Sequence, residues 1–219
     1  MVNNIITLKT GGQTGEGIAI RTLKTEHQAV CQMLNVLEKS VLKLELTGQV
    51  PLSIFDDVLE FLTVFVDRCH HTKEEEVLFP LMVQSGLPAE SGPISVMLAE
   101  HRQGRELIAR FRENLEMLKN GNQAGQPALI EAARAYCVLL REHIQKENRT
   151  LFVLANTIFD AETQQRIYET FEEIEINKLG AGTHERLHGV IEHLVALTAA
   201  WPGGDAGPDS EGCSCSCAH

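Results

Sequence analysis

Apolar residues recur at alternating steps of three and four from about Ile18 to Leu46: Ile20, Leu23, Val30, Leu34, Leu37, Val41 and Leu44, with His27 in the same row. That spacing lines one face of a helix. A second row runs Phe55, Leu59, Leu62, Val66, His70, Glu74, Val77 and Leu81, after Ser53 and Asp56, which resemble a capping-box start. "GLPAESGP" breaks it, and Pro93 suits a first helical turn. The third row is Ile94, Met97, His101, Gly104, Ile108, Phe111, Leu115 and Leu118, ended by "NGNQAGQP". The fourth is Tyr136, Leu140, His143, Glu147, Leu151, Leu154 and Ile158. Four long amphipathic helices with short connections predict an all-α, up-down-up-down four-helix bundle.

Two further helices extend it. Asp160 is placed to cap a helix reaching about Leu179, and Thr183 to cap one reaching Trp201. The expected organisation is a linker over 1–17, the bundle over 18–159, a C-terminal helical extension over 160–201 and a disordered tail over 202–219. The tail is rich in Gly, Pro and Ser and holds Cys213, Cys215 and Cys217. "TGGQTGEG" near the start matches no phosphate-loop spacing. Cys31, Cys69 and Cys137 fall in apolar helical patterns and read as small core residues rather than a disulfide framework.

Hydrophobic residues make up 43% of the 219, which supports a real core and excludes global disorder. The net charge of -11 makes nucleic acid and anionic lipid surfaces poor partners. No apolar run approaches transmembrane length. The start lacks a basic n-region and a long apolar stretch, so no secretory signal is expected and the expected location is cytoplasmic.

Polar residues inside the apolar rows carry the chemistry. "HHTKEEEVLF" aligns with "HIQKENRTLF", placing His70 over His143, Lys73 over Lys146 and Glu74 over Glu147. An "EH" pair precedes each: Glu26-His27 and Glu100-His101. The chain therefore reads as two copies of a helical hairpin, each with one His and then a His-x-x-x-Glu pair. Residues at i and i+4 lie one turn apart on one face, so both reach a common centre. His71 and Glu75 are turned about 100° from their neighbours, off that face, and are expected at the surface or behind the ligands.

A buried carboxylate without a partner costs several kcal/mol, and two in one core repel. A pair of divalent cations removes both penalties. Four imidazoles and two carboxylates, with no thiolate, suit iron, manganese or zinc rather than an iron–sulfur cluster.

These residues, in their "EH", "HHxKEExxLFP" and "HIxKExxxLF" contexts, resemble the hemerythrin-like, HHE cation-binding family over about Ile18 to Phe159. The resemblance implies a non-haem centre of two iron ions, oxo- or hydroxo-bridged, with manganese or zinc as substitutes. It carries over to His27, His70, Glu74, His101, His143 and Glu147, the two glutamates bridging. Oxygen-carrying hemerythrins have a fifth histidine one turn from another on the third helix. Here Met97 and Arg105 stand at those positions, which resembles the four-His, two-Glu bacterial and archaeal branch and speaks against reversible oxygen carriage. The resemblance implies binding of O2, NO or peroxide for sensing, storage or scavenging. A peroxidase-like or NO-reducing enzyme, or an iron-donating repair protein, would use the same six ligands.

Four features stand outside the ligand set. Gly104 lies one turn after His101 and either leaves room at the metals or allows close helix packing. Tyr136 reads as core. His184 and His188 form an i, i+4 pair that is solvent-facing, a second metal site or a cover for the centre. Cys213, Cys215 and Cys217 suit a soft metal or oxidation.

Overall fold

The computed structural model describes residues 15–180 and 182–203. The first fourteen residues, and the tail with Cys213, Cys215 and Cys217, lie outside the described residues.

Among the described residues the fold is all-α, with six helices. Helix α1 spans Ile18–Thr47. Helix α2 is continuous over 52–84 but changes register twice. Leu52–Phe61 is α-helical, Leu62–His71 and Glu74–Leu78 are π-helical, and Phe79–Gln84 is α-helical again. Helix α3 spans Pro93–Lys119. Helix α4 covers 125–158, with one π segment, Glu147–Leu151, between Gly125–Lys146 and Phe152–Ile158. Helices α5 (Ala161–Leu179) and α6 (Thr183–Thr198) follow.

Short connections make α1 to α4 alternate in direction, giving the expected bundle. Gly48 closes α1 in the left-handed region at φ 67°, its N–H donating to the Leu44 carbonyl. Asp160 caps α5 as expected, accepting from the Thr163 N–H at 2.9 Å. Two expected caps are absent. Helix α2 starts from Pro51 with no side-chain cap, so Ser53 lies already inside it. Gly182 precedes α6, which makes Thr183 its first residue, and the helix ends at Thr198, short of Trp201.

The π segments move the apolar rows. In α1 and α3 every expected core position is buried. In α2 the row holds through Glu74 and then slips by one: Leu78 and Met82 are buried where Val77 and Leu81 were expected. In α4 it slips after Leu151, so that Ala155 and Phe159 are buried while Leu154 is 38% exposed. A π turn bonds i to i+5 and absorbs an extra residue without changing which face packs inward. In α2 the second π segment stands just before Pro80, whose missing N–H leaves the Glu76 carbonyl without an i+4 donor.

The core forms two apolar clusters along the bundle, one around Leu34, Phe55 and Phe111, the other around Leu23, Phe79 and Phe152. Between them lies one polar layer. Helices α5 and α6 pack on the face made by α1 and α2, and leave the α3–α4 face uncovered.

Candidate metal centre

The polar layer gathers all six expected residues. His27 comes from α1, His70 and Glu74 from α2, His101 from α3, and His143 and Glu147 from α4; none is more than 2% exposed. Two sets of donor atoms lie within 4.8 Å of one another: His27, His70, Glu74 and Glu147, and Glu74, His101, His143 and Glu147. The two carboxylates belong to both.

Each carboxylate gives one oxygen to each set. Glu147 Oε2 is 3.1 Å from His27 Nε2, and its Oε1 is 3.2 Å from His143 Nε2. Glu74 Oε1 is 3.6 Å from His70 Nε2, and its Oε2 is 3.5 Å from His101 Nε2. The imidazoles pair likewise, His27 Nε2 to His70 Nε2 at 3.0 Å and His101 Nε2 to His143 Nε2 at 3.1 Å. Two donors about 2.1 Å from one ion and at right angles stand about 3 Å apart, so these are the edges of a coordination shell.

The other ring nitrogens are held from outside. His70 Nδ1 faces Glu26 at 2.7 Å, His101 Nδ1 faces Glu75 at 2.6 Å, His143 Nδ1 faces Glu100 at 3.0 Å, and His27 Nδ1 faces Asn148 Oδ1 at 3.0 Å. An oxygen acceptor on Nδ1 places the proton there and leaves the Nε2 lone pair pointing inward. Four inward lone pairs then meet two carboxylates. All four oxygens of Glu74 and Glu147 are buried without a hydrogen-bond partner. Left so, the layer is repulsive; a bound cation would supply the missing partner. The residues present thus fit a metal site.

Protons supply some of that charge in the metal-free chain. Burial, reinforced by Glu147, holds Glu74 well above the usual carboxylate range. Burial also pushes Glu147 upward, but His143 outweighs it and holds Glu147 low. Against its own burial, His143 is raised to about 9 by Glu147 and Glu100. Burial takes His70 down to about 4.

The orienting glutamates escaped the sequence reading, although the repeat contained their signal. Glu26 and Glu100 are the Glu of each "EH" pair, and each orients a histidine on another helix. The aligned lysines hold them in turn: Lys73 Nζ lies 2.5 Å from Glu26 Oε1, and Lys146 pairs with Glu100. The two differ in surroundings. Lys73 is fully buried and also meets Glu175 Oε2 of α5 at 3.1 Å. The Lys146 side chain is 42% exposed.

Two further expectations are settled by position. Glu75 stands behind His101, as expected, and also meets Arg105 Nη2 at 2.8 Å. His71 is not at the surface: it is 5% exposed and stacks on His101 with centroids 3.9 Å apart. The π-helical turn there narrows the angle between neighbours below the 100° of an α-helix, so His70 and His71 both face inward. His184 and His188 lie outside the layer, 2.9 Å apart through Nε2, with His184 Nδ1 2.7 Å from Glu175.

A cavity of about 250 Å³ lies beside the layer, with His71, Gly104, Tyr136 and Arg105 among its walls. A Cβ on Gly104 would lie 3.6 Å from Tyr136 Cε2, an ordinary contact. Helix packing therefore does not demand glycine here, and the space it leaves belongs to the cavity. Gly104→Ala is expected to raise thermal stability by up to about 1 kcal/mol while slowing small-ligand entry. Melting curves and stopped-flow ligand binding check the two effects separately.

Residues 18–155 match the hemerythrin HHE cation binding domain. An uncharacterized protein of Mycobacterium tuberculosis (strain ATCC 25618 / H37Rv) is 23% identical over 158 residues, covering 72% of this chain and 61% of that protein. The iron-sulfur cluster repair protein YtfE of Escherichia coli O157:H7 is 34% identical over 105 residues, 46% of this chain and 47% of its own length. YtfE of Yersinia pseudotuberculosis serotype IB is 37% identical over 87 residues, 38% of each. The chain thus spans about three fifths of the mycobacterial relative and under half of the repair proteins. No solved structure matches it.

Proposed function

Because the chain belongs to the hemerythrin HHE cation binding family, we propose that its buried layer holds two iron ions and binds O2, NO or peroxide there, for sensing, storage or scavenging. The observation that carries this reading is the pair of fully buried glutamates, each with one orphaned oxygen toward either half of the layer. In this reading His27, His70, His101 and His143 are terminal ligands, and Glu74 and Glu147 bridge. When bound, iron supplies redox capacity and coordination positions open to a small ligand.

The chain's own part is orientation and exclusion. Glu26, Glu75, Glu100 and Asn148 fix the imidazole tautomers. The two apolar clusters keep bulk water from the layer along the bundle axis. The cavity behind Gly104 and Tyr136 gives a small neutral ligand a side approach.

Iron delivery or repair is the second reading, favoured by the likeness to YtfE proteins named for iron-sulfur cluster repair. One preparation tests both. Protein loaded with iron under anaerobic conditions is expected to hold about two ions per chain, from the duplicated ligand set. Its optical spectrum should then change on adding O2, NO or peroxide. One ion or none after reconstitution would sink the two-ion reading. Reversible spectra favour sensing or storage, sustained consumption of peroxide or NO favours an enzyme, and iron transfer to an apo-acceptor favours repair.

A further inference from the structure

Outside the polar layer, a further pair of imidazoles among the described residues is set Nε2 to Nε2. His184 and His188 stand at i and i+4 on α6, with these atoms 2.9 Å apart. The two pairs inside the layer stand at 3.0 and 3.1 Å. A neutral imidazole carries one N–H and one lone pair, so two nitrogens this close share either a proton or a cation.

The rings are held in place from behind. Their centroids lie 4.7 Å apart, with 28° between the planes. Both meet Phe65 of α2 edge to face, at 5.6 and 6.1 Å. Phe65 is buried and forms a fixed floor. His184 Nδ1 lies 2.7 Å from Glu175 Oε1 of α5. That contact is electrostatic, without the alignment of a hydrogen bond. The negative charge favours the proton on Nδ1 and leaves Nε2 free to donate its lone pair. Glu175 is held in turn by Lys73 at 3.1 Å. Histidine, orienting glutamate and bracing lysine recur here in the order seen for His70, Glu26 and Lys73, and the same lysine serves both.

Charge and access suit a cation. A cavity of about 410 Å³ opens on the pair, with Glu26, Glu172 and Glu175 on its walls against Arg21. Lys73 neutralises part of that charge from behind, while Glu185 and Glu192 of α6 add negative charge near His188. His188 is exposed, so the pair is reached from water.

We propose that His184 and His188 form a separate metal site on the C-terminal extension, for a divalent nickel or copper ion. Two nitrogens about 2.1 Å from one ion and at right angles stand about 3 Å apart, whereas a tetrahedral zinc ion would hold them roughly 3.3 Å apart. The observed 2.9 Å therefore fits the square or octahedral ions. Imidazole suits them, while calcium and magnesium take oxygen donors. Water fills the remaining positions. The site shares no donor with the buried layer and does not rest on the two-ion reading.

Equilibrium dialysis of the iron-treated full-length protein against nickel(II) tests it. Wild type should bind one nickel more than the double variant His184→Ala/His188→Ala, and its melting temperature should rise with nickel where the variant's does not. His188→Ala alone should hold that nickel at least about 10-fold more weakly. Nickel taken by Cys213, Cys215 and Cys217 or by the layer is common to all the proteins and drops out of the difference. His193→Ala removes an exposed histidine of the same helix and should leave the count unchanged. Calcium should not distinguish wild type from the variants. Equal nickel binding by wild type and the double variant, an equal loss in His193→Ala, or a matching response to calcium would overturn the proposal. Failure of the layer to hold iron would strike the two-ion reading and leave this difference standing.

Discussion

Glu74→Gln is expected to abolish metal uptake and at the same time to stabilise the metal-free bundle. The two effects have one cause. Glu74 is fully buried, and both its oxygens lack hydrogen-bond partners. Burial and the neighbouring Glu147 raise its pKa well above the usual value. A group whose folded pKa is raised binds more protons in the folded state, so its contribution to stability is present below the unfolded pKa. It is lost as pH rises through the window between the unfolded and folded values. At neutral pH the metal-free wild type bears that loss, and a neutral amide removes it. The gain should be about 1–4 kcal/mol, the range for replacing buried charge by neutral groups.

Glu147→Gln should also lose the metal but weaken the metal-free bundle. Its carboxylate is 3.2 Å from a His143 imidazole that is raised to about 9, and the amide would strand that cation. With metal present, wild type should gain about 4 kcal/mol over its own metal-free form at a free metal concentration of 1,000 Kd, while neither variant responds. For a domain of this size that is a melting shift of about 10 °C. Thermal melts of the three proteins from pH 5 to 8, with and without iron, give the comparison. A metal-free wild type that melts with the loaded form would argue against buried ligands. Equal effects of the two variants on the metal-free form would show that Glu74 and Glu147 are not differently charged.

Lys73→Met is expected to be the most damaging single substitution away from the donors. Lys73 is fully buried, bonded to Glu26 at 2.5 Å and to Glu175 at 3.1 Å. Burial alone raises Glu26, but the hydrogen bond from His70 and the charge of Lys73 bring it down to about 2. Removing the lysine strands a buried carboxylate, at about 3–5 kcal/mol. Lys146→Met, at the position related by the repeat, should change stability by less than about 1 kcal/mol, because water already reaches the lysine end of that pair. Urea unfolding of the metal-free proteins gives both numbers. Equal losses would mean that covering by α5 does not matter.

The pH dependence separates the two lysines further. A depressed carboxylate contributes stability that is present above its unfolded pKa and lost as pH falls through the folded one. For Glu26 that window runs from 4.5 down to about 2. Lys73→Met should flatten this acid limb, and Lys146→Met should leave it in place.

Much of this protein follows from local spacing alone. The apolar rows of α1 and α3 were legible end to end, because an unbroken α-helix repeats the same turn whatever packs against it. The six residues of the polar layer were legible too, since His-x-x-x-Glu is a one-turn relation and the repeat selected His70 over His71. Local spacing failed wherever the turn itself changed. The π segments absorb a residue, so Leu78 and Ala155 are buried where Val77 and Leu154 were expected, and His71 turns inward beside His70. Relations between helices were also beyond reach. Nothing in the spacing says that Glu26 orients His70, or that Glu100 orients His143. Those partners are decided by which helices lie side by side. The unequal fates of Lys73 and Lys146 have the same origin. The residues match in sequence, but α5 covers one face of the bundle and leaves the other to water, and burial is a property of the packed chain rather than of the motif.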